Sequence, residues 1–115
     1  MTRAMTFQFD AYVTAALFQK DGTAAFALGD GAVRFESGER VEAHDGAILC
    51  ACLHPSGAGL LTGGDDGRVV WSRPSGAQEI ASLPGRWIDA IDASPDSKLV
   101  AFAAVLQRLN DLFGH

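Results

Sequence analysis

Three turns divide this 115-residue chain at nearly equal intervals. Asp21-Gly22 precedes the apolar run Ala24-Ala25-Phe26-Ala27-Leu28, Ser56-Gly57 precedes Leu60-Leu61-Thr62, and Asp96-Ser97 precedes Leu99-Val100-Ala101-Phe102-Ala103, at spacings of 35 and 40 residues. Two further landmarks keep the same beat. Gly29-Asp30-Gly31 leads to Val33 and Phe35 as Asp65-Asp66-Gly67 leads to Val69 and Trp71, and Ser37-Gly38 returns as Ser75-Gly76. A period near the high thirties means one supersecondary unit used several times, each unit burying its faces against its neighbours.

Within a period the pattern reads as four short strands. In the first they are 12–18, 24–28, 32–36 and 39–43; in the second, 47–53, 58–63, 67–73 and 77–81; the third supplies only 86–93 and 98–104. Asp-Gly and Ser-Gly pairs join them, and their glycines accept the positive φ that tight hairpins need. After residue 104 the period changes. Val105, Leu106, Leu109, Leu112 and Phe113 recur at three- and four-residue intervals, which predicts a short amphipathic helical tail over 105–115.

His44-Asp45-Gly46, the apolar strand to Leu53, the turn His54-Pro55-Ser56-Gly57, Leu60-Leu61-Thr62 and then Asp65-Asp66-Gly67 together resemble a WD40 repeat, and Ser94-Pro95-Asp96-Ser97 resembles the same turn in a third copy. The resemblance implies an all-β fold: a partial WD40-like β-propeller with two four-stranded antiparallel blades and half of a third. The repeats span 12–43, 44–81 and 82–104. They follow an N-terminal strand within 1–11, where Met5-Thr6-Phe7-Gln8-Phe9 resembles the strand that closes complete rings of this family. The resemblance also implies a blade-tying hydrogen-bond set, matched here by His44, Thr62 and Asp66. The family's Trp has no clean match, because Ser72 holds its position and Trp71 lies one residue early. Strand parity puts Trp71 on the face of Val69, toward the inter-blade core. Phe26, Phe35, Leu61, Trp71, Ile88, Ile91 and Phe102 are the core candidates.

A propeller needs roughly four to eight blades, so two and a half leave apolar sheet and an edge at 98–104 unpaired. Open edges of that kind recruit other chains. Two explanations stand side by side: a shortened propeller, or a chain that completes a ring with copies of itself. The implied function is a non-enzymatic protein–protein interaction or scaffold module. Arg86 and Trp87 form a possible interaction surface, since such residues dominate interface energetics; the alternative packs Trp87 between blades.

Other chemistries fit these residues less well. Nine Lys and Arg face fourteen Asp and Glu, a net charge of −5 with no basic stripe. Phosphate neutralisation drives nucleic-acid and anionic-membrane binding, so neither partner is expected. Cys50, Cys52 and His54 alternate along one strand face and suggest a metal-binding or propeller-type enzymatic alternative, but adjacent same-face positions diverge where tetrahedral zinc needs convergence. Two thiols packed in the innermost strand and a surface His form the plainer reading. Asp65-Asp66 reads as turn chemistry, and no nucleophile has a placed base. No catalytic residue, cofactor or metal is expected. The short spacing of the two cysteines favours reduced thiols and a cytoplasmic setting. A decayed fragment with no partner is the remaining alternative.

Overall fold

The computed structural model describes residues 2–106. Ten strands follow one another: β1 (Val13–Phe18), β2 (Ala24–Leu28), β3 (Ala32–Phe35), β4 (Arg40–Glu42), β5 (Ile48–Leu53), β6 (Leu60–Gly64), β7 (Arg68–Arg73), β8 (Gly76–Ser82), β9 (Arg86–Ser94) and β10 (Leu99–Leu106). All pairings are antiparallel between sequence neighbours, giving the sheets β1-β2-β3-β4, β5-β6-β7-β8 and β9-β10. Such meanders follow from the short turns, because connections of two to six residues join antiparallel neighbours and are too short for a parallel crossover.

The sheets stack through two apolar layers. Ala25, Ala27, Val33, Phe35, Val41 and Ala43 of the first sheet meet Ile48, Leu60 and Val70 of the second. On the far side of the second sheet, Leu61 and Val69 meet Ile88, with Ile91, Ala93 and Val100 packed beside them. Strand alternation makes this possible: in β6, Leu60 faces one neighbour and Leu61 the other. Small residues set the spacing between layers. A Cβ on Gly63 would lie 2.5 Å from Ile88 Cγ2, so only glycine lets β9 approach β6 this closely.

One irregularity repeats with the period. The register of β1, β5 and β9 shifts by one residue at Thr14, Leu49 and Asp89 respectively. Each is a bulge in the first strand of its sheet, and a bulge adds local twist and bend. Gly31 and Gly67 form a second recurrent device. Both have positive φ, and a Cβ there would lie 2.5 Å from the His44 carbonyl oxygen and 2.3 Å from that of Leu83. The freed space lets Gly31 O accept from His44 N–H at 3.0 Å and Gly67 O from Leu83 N–H at 2.8 Å, which pins the start of the next unit.

The structure differs from the sequence expectation in four places. Val105 and Leu106 continue β10 rather than opening a helix, because β9 offers them Trp87 and Arg86 as pairing partners; the rest of the expected tail, 107–115, lies outside the described residues. No strand forms over Met5–Phe9, since no neighbouring edge pairs with it; Phe7 and Phe9 instead rest on Phe26 at ring distances of 4.9 and 5.0 Å. Among the core candidates, Phe35, Leu61 and Ile88 are buried, but Phe26, Trp71 and Ile91 are only partly covered and Phe102 is 37% exposed. Trp87 is not packed between sheets; it points away from Ile88 and is 41% exposed.

Ile88 is the one fully buried side chain of β9. Ile88→Ala is therefore expected to cost about 2–4 kcal/mol through lost burial and a residual cavity, read as a lower denaturation midpoint in urea. Ile91→Ala, at a partly covered position, should cost less.

Candidate functional site

The polar centre of the molecule lies where the loop after β4 crosses the β6–β7 turn. His44 is buried between them. Its Nδ1 lies 2.9 Å from Asp66 Oδ1 and its Nε2 lies 2.7 Å from Thr62 Oγ1. The carboxylate can only accept, so Nδ1 carries the proton, and in the neutral ring Nε2 accepts from the Thr62 hydroxyl. Asp66 also receives the backbone N–H groups of Asp45 and Arg68, each at 3.1 Å. Arg68 then reaches back to donate to the Ala43 carbonyl at 3.1 Å and to Glu79 at 2.7 Å. Asp66 thus fastens the loop after β4 to its own turn by accepting from three donors, with acceptors that the Asp-Gly turn places there. A Cβ on Gly64 would meet His44 Nδ1 at 2.5 Å, so the ring sits directly against bare backbone.

Burial alone would raise the Asp66 carboxyl, but the hydrogen bond from His44, the two backbone donors and the attraction of the ring outweigh it and hold the group below the usual carboxylate range. The folded value is depressed relative to the unfolded one. The stabilisation is complete above the ordinary aspartate value of 3.8 and is lost as the pH falls through the lower folded value.

Ser72 stands on the same strand face as Val70, and its hydroxyl is buried without a hydrogen-bond partner. Trp71 faces the opposite way, toward Leu61 and Val69, as parity requires. The bulge in this half of the sheet falls in β8, at Ile80, and leaves the alternation of β7 intact. The indole N–H donates to the Ala58 carbonyl at 2.9 Å and makes no bond to Thr62. One ring contact of Trp71 is His54, stacked at 3.7 Å and 11°, and another is the Arg73 guanidinium at 3.8 Å. His54 Nδ1 accepts the Ser56 N–H at 3.0 Å, which turns the ring onto the indole. Burial, and then the positive charge of Arg73, lower the His54 pKa. By sequence alone His54 is a surface turn residue; in the structure it is half-buried against Trp71. The signal for the stack was its shared parity with Cys52, but only the register Cys52–Leu61–Trp71 brings the rings together.

The metal constellation does not assemble. Cys50 donates to the Ile88 carbonyl at 3.3 Å, His54 is spent on Trp71 and Ser56, and no group of three or more His, Cys, Asp or Glu is arranged to hold a metal among the described residues. Burial first, and then nearby Asp89 for Cys50 and Asp92 for Cys52, push both thiols up to about 11, so they stay protonated and weakly nucleophilic.

Arg86 and Trp87 open β9 together, with Trp87 paired to Val105. Beside Trp87 the outer side of the hairpin exposes Val105 at 44%, and at its far end, opposite Ser94, it exposes Leu99 at 66%. β10 carries no charged residue from Leu99 to Leu106, whereas the outer strands β4 and β8 carry Arg40, Glu42 and Glu79.

Two substitutions separate the roles of these groups. Asp66→Ala is expected to lower stability by about 1–3 kcal/mol, because it strands buried donors, and to flatten the acid limb of a plot of melting temperature against pH. Ser72→Ala removes a buried hydroxyl that bonds to nothing and should leave stability unchanged or raise it by up to about 1 kcal/mol, measured by urea titration.

No curated protein matches the chain. The family model of the WD40 repeat (WD domain, G-beta repeat) matches residues 36–71, a stretch that enters through β4, includes His44, Thr62 and Asp66, and ends on Trp71. The centre of this chain is thus similar to a WD40 repeat over that stretch.

Proposed function

We propose that the chain is a non-enzymatic protein–protein interaction module built from propeller blades, and that its contact surface is the outer side of the β9-β10 sheet with Trp87 at its base and Arg86, the preceding residue, at its rim. A WD40 repeat by itself suggests protein binding. The observation that carries the finer reading is the exposed, uncharged strand β10 beside a half-exposed Trp87. Contiguous apolar surface of this kind marks interaction sites, and Trp and Arg are the side chains that most often dominate them. The net charge of −5 disfavours nucleic acid and anionic membrane as ligands. The two free thiols suit a reducing compartment, which makes the cytoplasm the proposed location.

The metal or enzymatic alternative has little support, because Cys50, Cys52 and His54 are engaged in packing. A decayed fragment remains distinguishable by experiment. Tagged wild-type chain and a Trp87→Ser, Arg86→Ala variant are exposed to native lysate, and the retained proteins are identified by mass. The proposal expects a defined protein on the wild type that the variant loses at least tenfold. Chaperones alone, equal on both, would overturn it in favour of the fragment.

A further inference from the structure

The two ends of the sheet stack repeat, in complementary form, a contact already buried inside it. Ala24-Ala25-Phe26-Ala27-Leu28 is the second strand of the first sheet, and Val100-Ala101-Phe102-Ala103-Ala104 occupies the second strand of the hairpin with nearly the same sequence. In the first, Ala25 and Ala27 are fully buried against Ile48, Leu60 and Val70 of the following sheet. In the second, the corresponding Ala101 and Ala103 lie opposite Val100, on the side away from the stack, and are exposed. Between Leu99 at one end of the hairpin and Trp87 with Val105 at the other, a strip of small residues therefore lies open, the same kind of surface that receives a sheet elsewhere in the molecule.

The opposite end of the stack is the face of β1 and β2 that carries Phe18 and Phe26. It is covered by the chain's own residues 2–9, with Phe7 and Phe9 on Phe26 and the Arg34 guanidinium 5.5 Å from the Phe9 ring. The cover fits poorly. It makes no backbone hydrogen bond to the sheet among the described residues, and a cavity of about 400 Å³ remains between Met5, Phe7, Phe18 and Phe26. Phe18 stays 72% exposed beneath it, and Arg34 Nε is buried without a partner. Charge favours a match between the two ends: Arg34 of β3 stands at the covered face, while β9 carries exposed Asp89 and Asp92.

We infer that residues 2–9 are a displaceable cover, and that the partner they hold off is a second copy of this chain, whose outer β9-β10 side would seat on the Phe26 face and continue the stack head to tail. The inference rests on the reading of the molecule as an interaction module and names its partner. A contact between unlike surfaces is heterologous, so it closes into a ring or grows as a filament. The cover then sets how readily chains join: the contact forms only at the expense of Phe7 and Phe9 leaving Phe26.

Solution mass tests this without reference to any other partner, so its failure and that of the capture experiment are distinguishable. Phe7→Ser with Phe9→Ser in the full chain is expected to raise the weight-average mass in sedimentation at least twofold over wild type at equal concentration. Adding Ala101→Glu and Ala103→Glu, at exposed positions, should return it to the wild-type value. A folded Phe7→Ser, Phe9→Ser variant that keeps the wild-type mass overturns the inference. So does an increase that the glutamates leave untouched, which would assign association to some other surface. If the serine variant loses its β circular dichroism, the wild-type chain decides. Its mass should climb with concentration while the Ala101→Glu, Ala103→Glu chain stays constant, and the same flat response from both overturns the proposal.

Discussion

Everything in this molecule depends on sheets meeting face to face with large side chains on one side and small ones on the other. Leu60, Val70 and Ile48 press against Ala25 and Ala27, and Ile88 presses against the bare backbone of Gly63. Van der Waals attraction falls away within an ångström of misfit, so the alanines and the glycine are as necessary as the bulky residues. Each sheet is too thin to enclose a core alone. Its stability comes from its neighbour, and the ends of the stack are where that support runs out.

Polar groups do a different task. Apolar layers can slide; directional bonds cannot. The chain His44–Asp66, with Thr62 at one end and Arg68 at the other, ties the loop after the first sheet to the turn of the second and sets the angle at which they stack. Arg68 extends the tie to the Ala43 carbonyl. Gly31 and Gly67 admit the next unit's backbone at the corresponding points, so the stacking direction is specified by hydrogen bonds while its strength comes from burial.

The same division explains the displaced Trp71. With Ser72 in its family position, the indole cannot reach Thr62, and it joins the apolar layer on the other face instead. There it is fixed by the Ala58 carbonyl, His54 and Arg73. The polar set loses one member, and Ser72 is left with an unanswered hydroxyl. The ends of the stack differ similarly. One is sheltered by Phe7 and Phe9, the other exposes Trp87 and an uncharged strand.

Strand positions, the antiparallel order and the two-sided burial of β6 were written in local pattern: glycine turns at a fixed beat, and apolar residues at a period of two. His44, Thr62 and Asp66 were legible only through the resemblance to a WD40 repeat, whose motif places them at a strand approach, a strand and an Asp-Gly turn. What local pattern could not carry was anything decided between segments far apart. The bulges at Thr14, Leu49 and Asp89 exist only relative to partner strands. Val105 and Leu106 have helical spacing, but the pairing groups of Arg86 and Trp87 claim them. Met5 to Phe9 alternates like a strand, yet an extended segment becomes a strand only where an edge accepts it. Sequence determined which residues could form sheets and where each turned; tertiary contact alone decided which edges and faces found partners, because hydrogen bonds and burial both require a second surface.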